Sequence, residues 1–271
     1  MLRYQLVDGR KKEWVVFLHG LGGSRRTFKY QTEDFSRDYN LLLLDLHGHG
    51  DSSDERLAEA TDPSLAGVAK DILAVLDSLG IPKAHFVAMS SGTMIQTALA
   101  NLAPDRIRSL VLSGAAIKFR LRAKALFLMG NLFRFLIPHM ALYRFFAWLM
   151  MPRENHRYSR SVFVREACKM PRAEFYLWFD LTQRFERDYP LEKHAAAIPK
   201  LYVLGDEDHM LAPLTARYAR LDPHASVHVI PKCGHLCNID RSAEFNRAAL
   251  AFLARQGTAS APSNNPCAIR E

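Results

Sequence analysis

Three residue types that together turn a hydroxyl into a nucleophile stand at separate points of this chain, each just after a short apolar run. A serine is a weak nucleophile until a base takes its proton, and the base needs a carboxylate to orient it. Ser90 lies in Ala88-Met89-Ser90-Ser91-Gly92, ahead of a helical run from Thr93 to Leu102. A sharp strand-to-helix turn strains its central residue and tolerates only small side chains two positions before and after it. Ala88 and Gly92 meet that condition for Ser90, whereas centring the turn on Ser91 would put Met89 and Thr93 at the crowded positions. Further on, Gly205-Asp206-Glu207-Asp208 offers a carboxylate and Cys233-Gly234-His235 a histidine. Gathered in one place, such groups perform acyl transfer with water as the final acceptor.

The elements that must do the gathering are six short runs: Trp14 to Leu18, Leu41 to Leu44, His85 to Met89, Ser109 to Leu112, Leu201 to Leu204 and Val227 to Ile230. Several are apolar at consecutive positions, as strands covered on both faces are. Helix-length amphipathic segments alternate with them, the rhythm of a mostly parallel α/β sheet with helices on both faces. One helix is expected from Asp62 as N-cap, with Pro63 in the first turn, a stripe through Leu65, Ala69, Ile72, Leu76 and Leu79, and Gly80 beyond its end. Another is expected from about Ser242 to Arg255, packing through Phe245, Ala249, Phe252 and Leu253. In a parallel sheet the loops at the carboxyl ends of the strands converge on one edge, where ligands bind.

With the elements in place, four motifs in order resemble the α/β-hydrolase fold superfamily, in its serine-nucleophile branch with a helical cap, over about residues 12 to 255. They are His19-Gly20-Leu21-Gly22-Gly23-Ser24, Asp45-Leu46-His47-Gly48-His49-Gly50-Asp51-Ser52, the Ser90 turn, and the Asp208 and His235 loops. The resemblance implies Ser90 as nucleophile, His235 as base and Asp208 as orienting acid. The family's Gly-x-x-Asp spacing from Gly205 points to Asp208 rather than Asp206, and Ser113-Gly114-Ala115-Ala116 offers no carboxylate at the place some relatives use. It also implies backbone N–H groups of Leu21 and Ser91 as the oxyanion hole. His19, Gly20, Met89 and His209 are expected to contact substrate, and Asp45 to Ser52 to be structural, with His47 where arginine is usual. Ala88, Met89 and Thr93 depart from the common pattern and bear on the acyl pocket.

Esters of a small or medium apolar acid are the substrate expected on these grounds. Carbon-carbon bond hydrolases, lactonases and thioesterases share the triad, and a receptor-like protein with slow turnover is a further alternative. Dehalogenases and epoxide hydrolases of this fold use an aspartate nucleophile. No cofactor is expected. The core is assigned to 1–114 and 198–255, an inserted helical cap to 115–197 and a flexible tail to 256–271.

Composition narrows the partners. The 271 residues, 49% hydrophobic and 24% charged, describe an ordinary globular chain. Its net charge of +8 is local, since twelve Lys and Arg face two Glu between Lys118 and Arg172. No zinc-finger, RNP-like or basic-zipper pattern accompanies that patch, so nucleic acid is not an expected partner; a solvated basic face is the commoner reading, with attraction of an anionic substrate group or weak contact with a membrane surface as the open alternatives. The stretch from Leu126 to Met151 is broken by Arg134, Pro138, His139 and Arg144 before it reaches the roughly 18 apolar residues of a span. Among the cap aromatics and leucines, Phe127, Leu132, Phe133, Phe135, Leu136, Phe145, Phe146 and Trp148 are expected mainly to pack between cap helices, with a fraction roofing the site. Cys168, Cys233, Cys237 and Cys267 are too few for a disulfide framework, and Cys233 with Cys237 lacks a second ligand pair for zinc, so no metal is expected. Charges before Trp14 leave no signal-peptide core, which favours a cytoplasmic location.

Overall fold

The computed structural model describes residues 1–190 and 197–258. Seven strands form one sheet: β1 (Tyr4–Val7), β2 (Trp14–Leu18), β3 (Asn40–Leu44), β4 (Ala84–Met89), β5 (Ile107–Ser113), β6 (Lys200–Gly205) and β7 (Ala225–Ile230). Their order is β1-β3-β2-β4-β5-β6-β7, and every pairing is parallel except β1 with β3. All six expected strands are present with ends shifted by up to two residues. β1 was not among them: it is a four-residue edge strand, mostly exposed, and carries no apolar run.

Apolar side chains alternate between the two faces of the sheet. Val16, Leu18, Phe86 and Leu112 enter one core with α2 (Leu65–Ser78), α3 (Gly92–Leu102) and α8 (Ala212–Ala219), while Val15, Phe17, Val87 and Met89 enter the other. That second core is closed by α1 (Lys29–Ser36), α9 (Cys237–Asp240) and α10 (Ser242–Thr258) through Phe35, Cys237 and Phe245. The central strands are therefore apolar on both faces because both faces are covered.

The α2 stripe lies as expected, with Leu65, Ala69, Ile72 and Leu76 buried and Leu79 partly so. Its N-cap is Ser64 rather than Asp62: the Ser64 hydroxyl accepts from the Gly67 amide at 3.1 Å. Asp62 instead accepts from the Ser64 hydroxyl and from Lys70, supporting the cap from outside. Between β5 and β6 lie α4 (Leu121–Phe133), α5 (His139–Met150), α6 (Arg157–Ala167) and α7 (Arg172–Asp188), with no strand among the described residues. No described helix is long and apolar enough to cross a membrane. The expected flexible tail falls largely outside the described residues.

Candidate active site

β4 ends in the turn that the small residues anticipate. Ser90 has φ +51, in the left-handed region that non-glycine residues rarely adopt. Its amide donates to Ser113 O at 2.8 Å, tying the strained residue to β5. A Cβ on Gly92 would meet Leu18 O at 2.5 Å and His19 O at 2.7 Å, so the turn packs directly on the end of β2.

The loops after β6 and β7 bring the other two groups to it. His235 Nε2 stands 3.0 Å from Ser90 Oγ, and His235 Nδ1 stands 2.8 Å from Asp208 Oδ2. Both His235 and Asp208 are buried, whereas Ser90 is partly exposed. Burial works to raise the Asp208 carboxyl, but the facing His235 and amide bonds from Leu211 and Met210 outweigh it and hold it below the usual carboxylate range. An ionised Asp208 leaves a proton on His235 Nδ1 and frees Nε2 to accept from Ser90. Asp206 takes no part: it is exposed and accepts from the Cys233 amide at 3.3 Å.

The loop after β2 carries the Leu21 amide to the same place. Leu21 N donates to Ser91 Oγ at 2.6 Å, so in this state a neighbouring hydroxyl fills the position in front of that amide. The loop is fixed from three sides. Gly22 N donates to His49 Nε2 at 2.9 Å, while His49 Nδ1 sits 2.8 Å from His47 O. Burial, with neighbouring His19 adding to it, holds His49 well below the ordinary histidine value, so it stays neutral with the proton on Nδ1. From α5, the Tyr143 hydroxyl donates to Leu21 O at 3.0 Å. Burial raises this phenol well above its usual range and keeps it a donor. From α6, Glu166 accepts from the Ser24 hydroxyl at 2.9 Å.

A cavity of about 140 Å³ opens above Ser90, Leu21 and Ser91. Its walls come mainly from α4 to α7, with Phe127, Tyr143, Phe146, Phe163, Phe175 and Phe179 among them, and no charged side chain lines it among the described residues. Phe175, Phe179 and Phe146 stack in series at 6.0 and 5.9 Å between ring centres.

None of the four residues expected to touch substrate lines the main cavity; Gly20, where a Cβ would meet Ser90 Cβ at 2.8 Å, borders a smaller cleft together with Met89 and Ser90. Met89 points into the core on the α1 and α10 side and not into the main cavity. His19 is wholly buried: its Nε2 accepts from Leu46 N at 3.0 Å, and it braces two loops instead of lining the cavity. His209 is exposed, and its successors Met210 and Leu211 line the wall in its place. Sequence reasoning missed Tyr143, Glu166 and Glu174, the last accepting from the Leu57 and Ala58 amides at 3.0 and 3.3 Å. Asp45 accepts from the Arg25 and Asp51 amides at 2.7 and 3.0 Å, a structural use of its loop. Buried Cys233 and Cys237 pack in the core around Gly234 O; contact with Cys237, then burial, pushes the Cys233 thiol up.

Comparison with known proteins supplies the class. A family model described as "Alpha/beta hydrolase family" matches residues 15–248. The chain belongs to the alpha/beta hydrolase family and is a hydrolase. It is 28% identical over 275 residues to a 2-hydroxy-6-oxononadienedioate/2-hydroxy-6-oxononatrienedioate hydrolase of Burkholderia vietnamiensis, covering 91% of this chain and 89% of that one. It is 27% identical over 261 residues to the dihydrolipoyllysine-residue acetyltransferase component of an acetoin cleaving system of Pseudomonas putida, covering 93% of this chain but spanning only 66% of that relative's length. The solved enol-lactonase of Burkholderia xenovorans LB400 has the same fold, with a TM-score of 0.78 and 20% identity over 93% of this chain and 96% of that one.

Proposed function

We propose that this α/β hydrolase, with a core of 1–114 and 198–255 capped by 115–197, cleaves neutral carboxylic esters of a small or medium apolar acid through a Ser90 acyl-enzyme. The observation that carries the reading is a continuous hydrogen-bonded chain from Asp208 through His235 to Ser90 on the floor of an uncharged, aromatic-walled cavity. His235 Nε2 takes the Ser90 proton as Oγ bonds to the ester carbonyl carbon, and the carbonyl oxygen becomes an oxyanion. For that oxygen to reach the Leu21 amide, the Ser91 hydroxyl turns aside; the Leu21 and Ser91 N–H groups then stabilise the charge. The imidazolium gives its proton to the leaving alkoxide, the C–O bond breaks, and the acyl group stays on Ser90. Water loses a proton to His235, attacks the acyl carbon and releases the acid, with the proton returned to Ser90. The scheme calls on no cofactor.

A carbon-carbon bond hydrolase is the second reading, favoured by the B. vietnamiensis relative. A dienedioate carries two carboxylates, and a cavity without a cationic side chain would desolvate them unpaired, at a cost of several kcal/mol. The neutral ester is the better fit. Multiple turnover of p-nitrophenyl esters by the purified chain, with a fluorophosphonate labelling Ser90, supports the proposal. Labelling at another serine, or turnover retained in Ser90→Ala, overturns it.

A further inference from the structure

α4 carries large apolar side chains on two sides, and only the inner set faces the protein. Leu126 and Phe127 wall the cavity, whereas Leu121, Leu128 and Leu132 point to solvent, and the turn after α4 leaves Phe135 82% and Leu136 77% exposed. Trp148 of α5 is exposed as well. An isolated surface leucine is ordinary, but a cluster of large apolar side chains on one element marks a docking surface.

The charges beside it say what kind. Residues 118–153 hold seven Lys and Arg and no Asp or Glu. Lys124 and Arg134 pair with Glu186 and Asp180, but Arg120, Arg122 and Arg144 are exposed and have no carboxylate partner among the described residues. A second copy of this face would set cation against cation. A surface with a dry interior and anionic headgroups suits both features: Leu and Phe side chains enter the acyl boundary while arginines reach phosphate oxygens.

We propose that the outer side of α4, the 134–136 turn and Trp148 dock this protein on anionic phospholipid membranes. The docking is independent of the ester-hydrolase reading; only its benefit rests on that reading, because the bilayer would lie one helix away from the cavity that takes an apolar acyl group.

The test uses the full chain carrying Ser90→Ala, mixed with vesicles of phosphatidylcholine alone or of phosphatidylcholine with phosphatidylglycerol. The protein is expected to sediment with the mixed vesicles at low salt and to show a blue shift in emission that Trp148→Phe removes, since Trp178 is already buried and Trp14 is half-buried in β2. Phe135→Glu with Leu136→Glu lowers the partition by roughly tenfold or more. Arg120→Ala, Arg122→Ala and Arg144→Ala each lower it by roughly fivefold, an effect that fades as salt rises. Because these side chains lie outside the cavity, the Phe135→Glu, Leu136→Glu pair on a Ser90 background keeps its turnover of a soluble ester and its melting temperature, which separates failed docking from failed catalysis. Equal partition onto neutral and anionic vesicles, or unchanged partition of the Glu pair, overturns the proposal. So does a dimer in sedimentation equilibrium that the Glu pair splits, which would give the face to a second copy.

Discussion

The floor and the roof of the cavity are built on opposite plans. On the floor, Ser90, Asp208 and His235 come from the ends of β4, β6 and β7, and each is held by directional bonds to a neighbour. The roof comes from α4 to α7, where the walls meet the space above Ser90 through stacked rings and methyl groups. In α4 only Ala123 and Gly130 are buried. Bond-making needs placement to a fraction of an ångström, which a buried sheet edge provides; discrimination among apolar acids needs only volume and contact, which helices can vary without disturbing the floor. Nearest the nucleophile the two meet at the loop after β2, where the Tyr143 hydroxyl of α5 donates to the carbonyl of Leu21 and Glu166 of α6 accepts from the Ser24 hydroxyl.

Removing floor groups should therefore be ruinous. Ser90→Ala and His235→Ala are each expected to lower kcat on an apolar ester by roughly 10⁴-fold or more and the double variant hardly further, because the members act as one unit. Asp208→Asn, which spoils the His235 tautomer, is expected to cost on the order of 10⁴-fold. Steady-state kinetics on the same ester check all four, and near-normal turnover in Asp208→Asn would give the orienting role to another group.

Acid should strike the floor through its packed loops. His19 and His49 are fully buried with values lowered first by burial. A histidine whose folded value lies below its unfolded value, near 6.5, contributes stability that is complete above that pH and is lost as the pH falls below it, where the unfolded chain binds the proton more readily. Melting temperature measured from pH 7.5 down to 5 should fall, and a flat profile would mean that these rings are not held neutral.

Changes in the roof should alter preference and spare the chemistry. Each further methylene buried against the walls contributes about 0.8 kcal/mol, or roughly fourfold in kcat/KM, until the pocket is full. A p-nitrophenyl ester series from acetate upward should rise on that slope and then level off. Phe179→Ala, which opens the stack beside Phe146 and Phe175, is expected to move the plateau to longer chains. A strict preference for acetate would mean that the rings close the space to substrate.

The same division explains what was legible before the fold was known. The Ser90 turn depends on its immediate neighbours, so Ala88 and Gly92 announce it; the Asp208 and His235 loops each follow a recognisable strand. β1 was invisible because a four-residue exposed edge has no apolar signature. Ser64 displaced Asp62 as N-cap because both types suit the position and only backbone geometry separates them. Tyr143, Glu166 and Glu174 act on partners more than a hundred residues away, where no local pattern exists. His209 and Met210 changed places because the loop turns His209 outward. Most of the aromatic and leucine side chains expected between cap helices, among them Leu132, Phe135, Leu136 and Trp148, face solvent instead. α4 carries large apolar side chains on two sides, Leu126 and Phe127 inward and Leu128 and Leu132 outward, so residue type alone does not show which side meets the protein.

At the junction of floor and roof, Tyr143→Phe removes one neutral hydrogen bond, worth about 1 kcal/mol, and should lower kcat roughly fivefold with little change in KM. A loss appearing in KM alone would make Tyr143 a wall residue and nothing more.

The smallest effect expected is a gain. Ser91 Oγ holds the Leu21 amide at 2.6 Å, in the place that the proposed mechanism gives to the substrate carbonyl oxygen. Substrate binding therefore exchanges one hydrogen bond for another at this amide, and the exchange subtracts from the stabilisation available. Ser91→Ala leaves the amide without that competitor while keeping the Ser91 backbone N–H, so kcat/KM should rise by roughly two- to fivefold, the worth of a hydrogen bond of up to about 1 kcal/mol. The Ser91 hydroxyl has a second option, since its own hydrogen is free to point toward the oxyanion while its oxygen keeps the amide. That arrangement would make it a third donor, and its loss would lower kcat/KM instead. The sign of the Ser91→Ala effect separates the two. A gain places the hydroxyl as a plug that substrate expels, and the proximity to the amide favours it, because an oxygen already at bonding distance from Leu21 N leaves no room there for another.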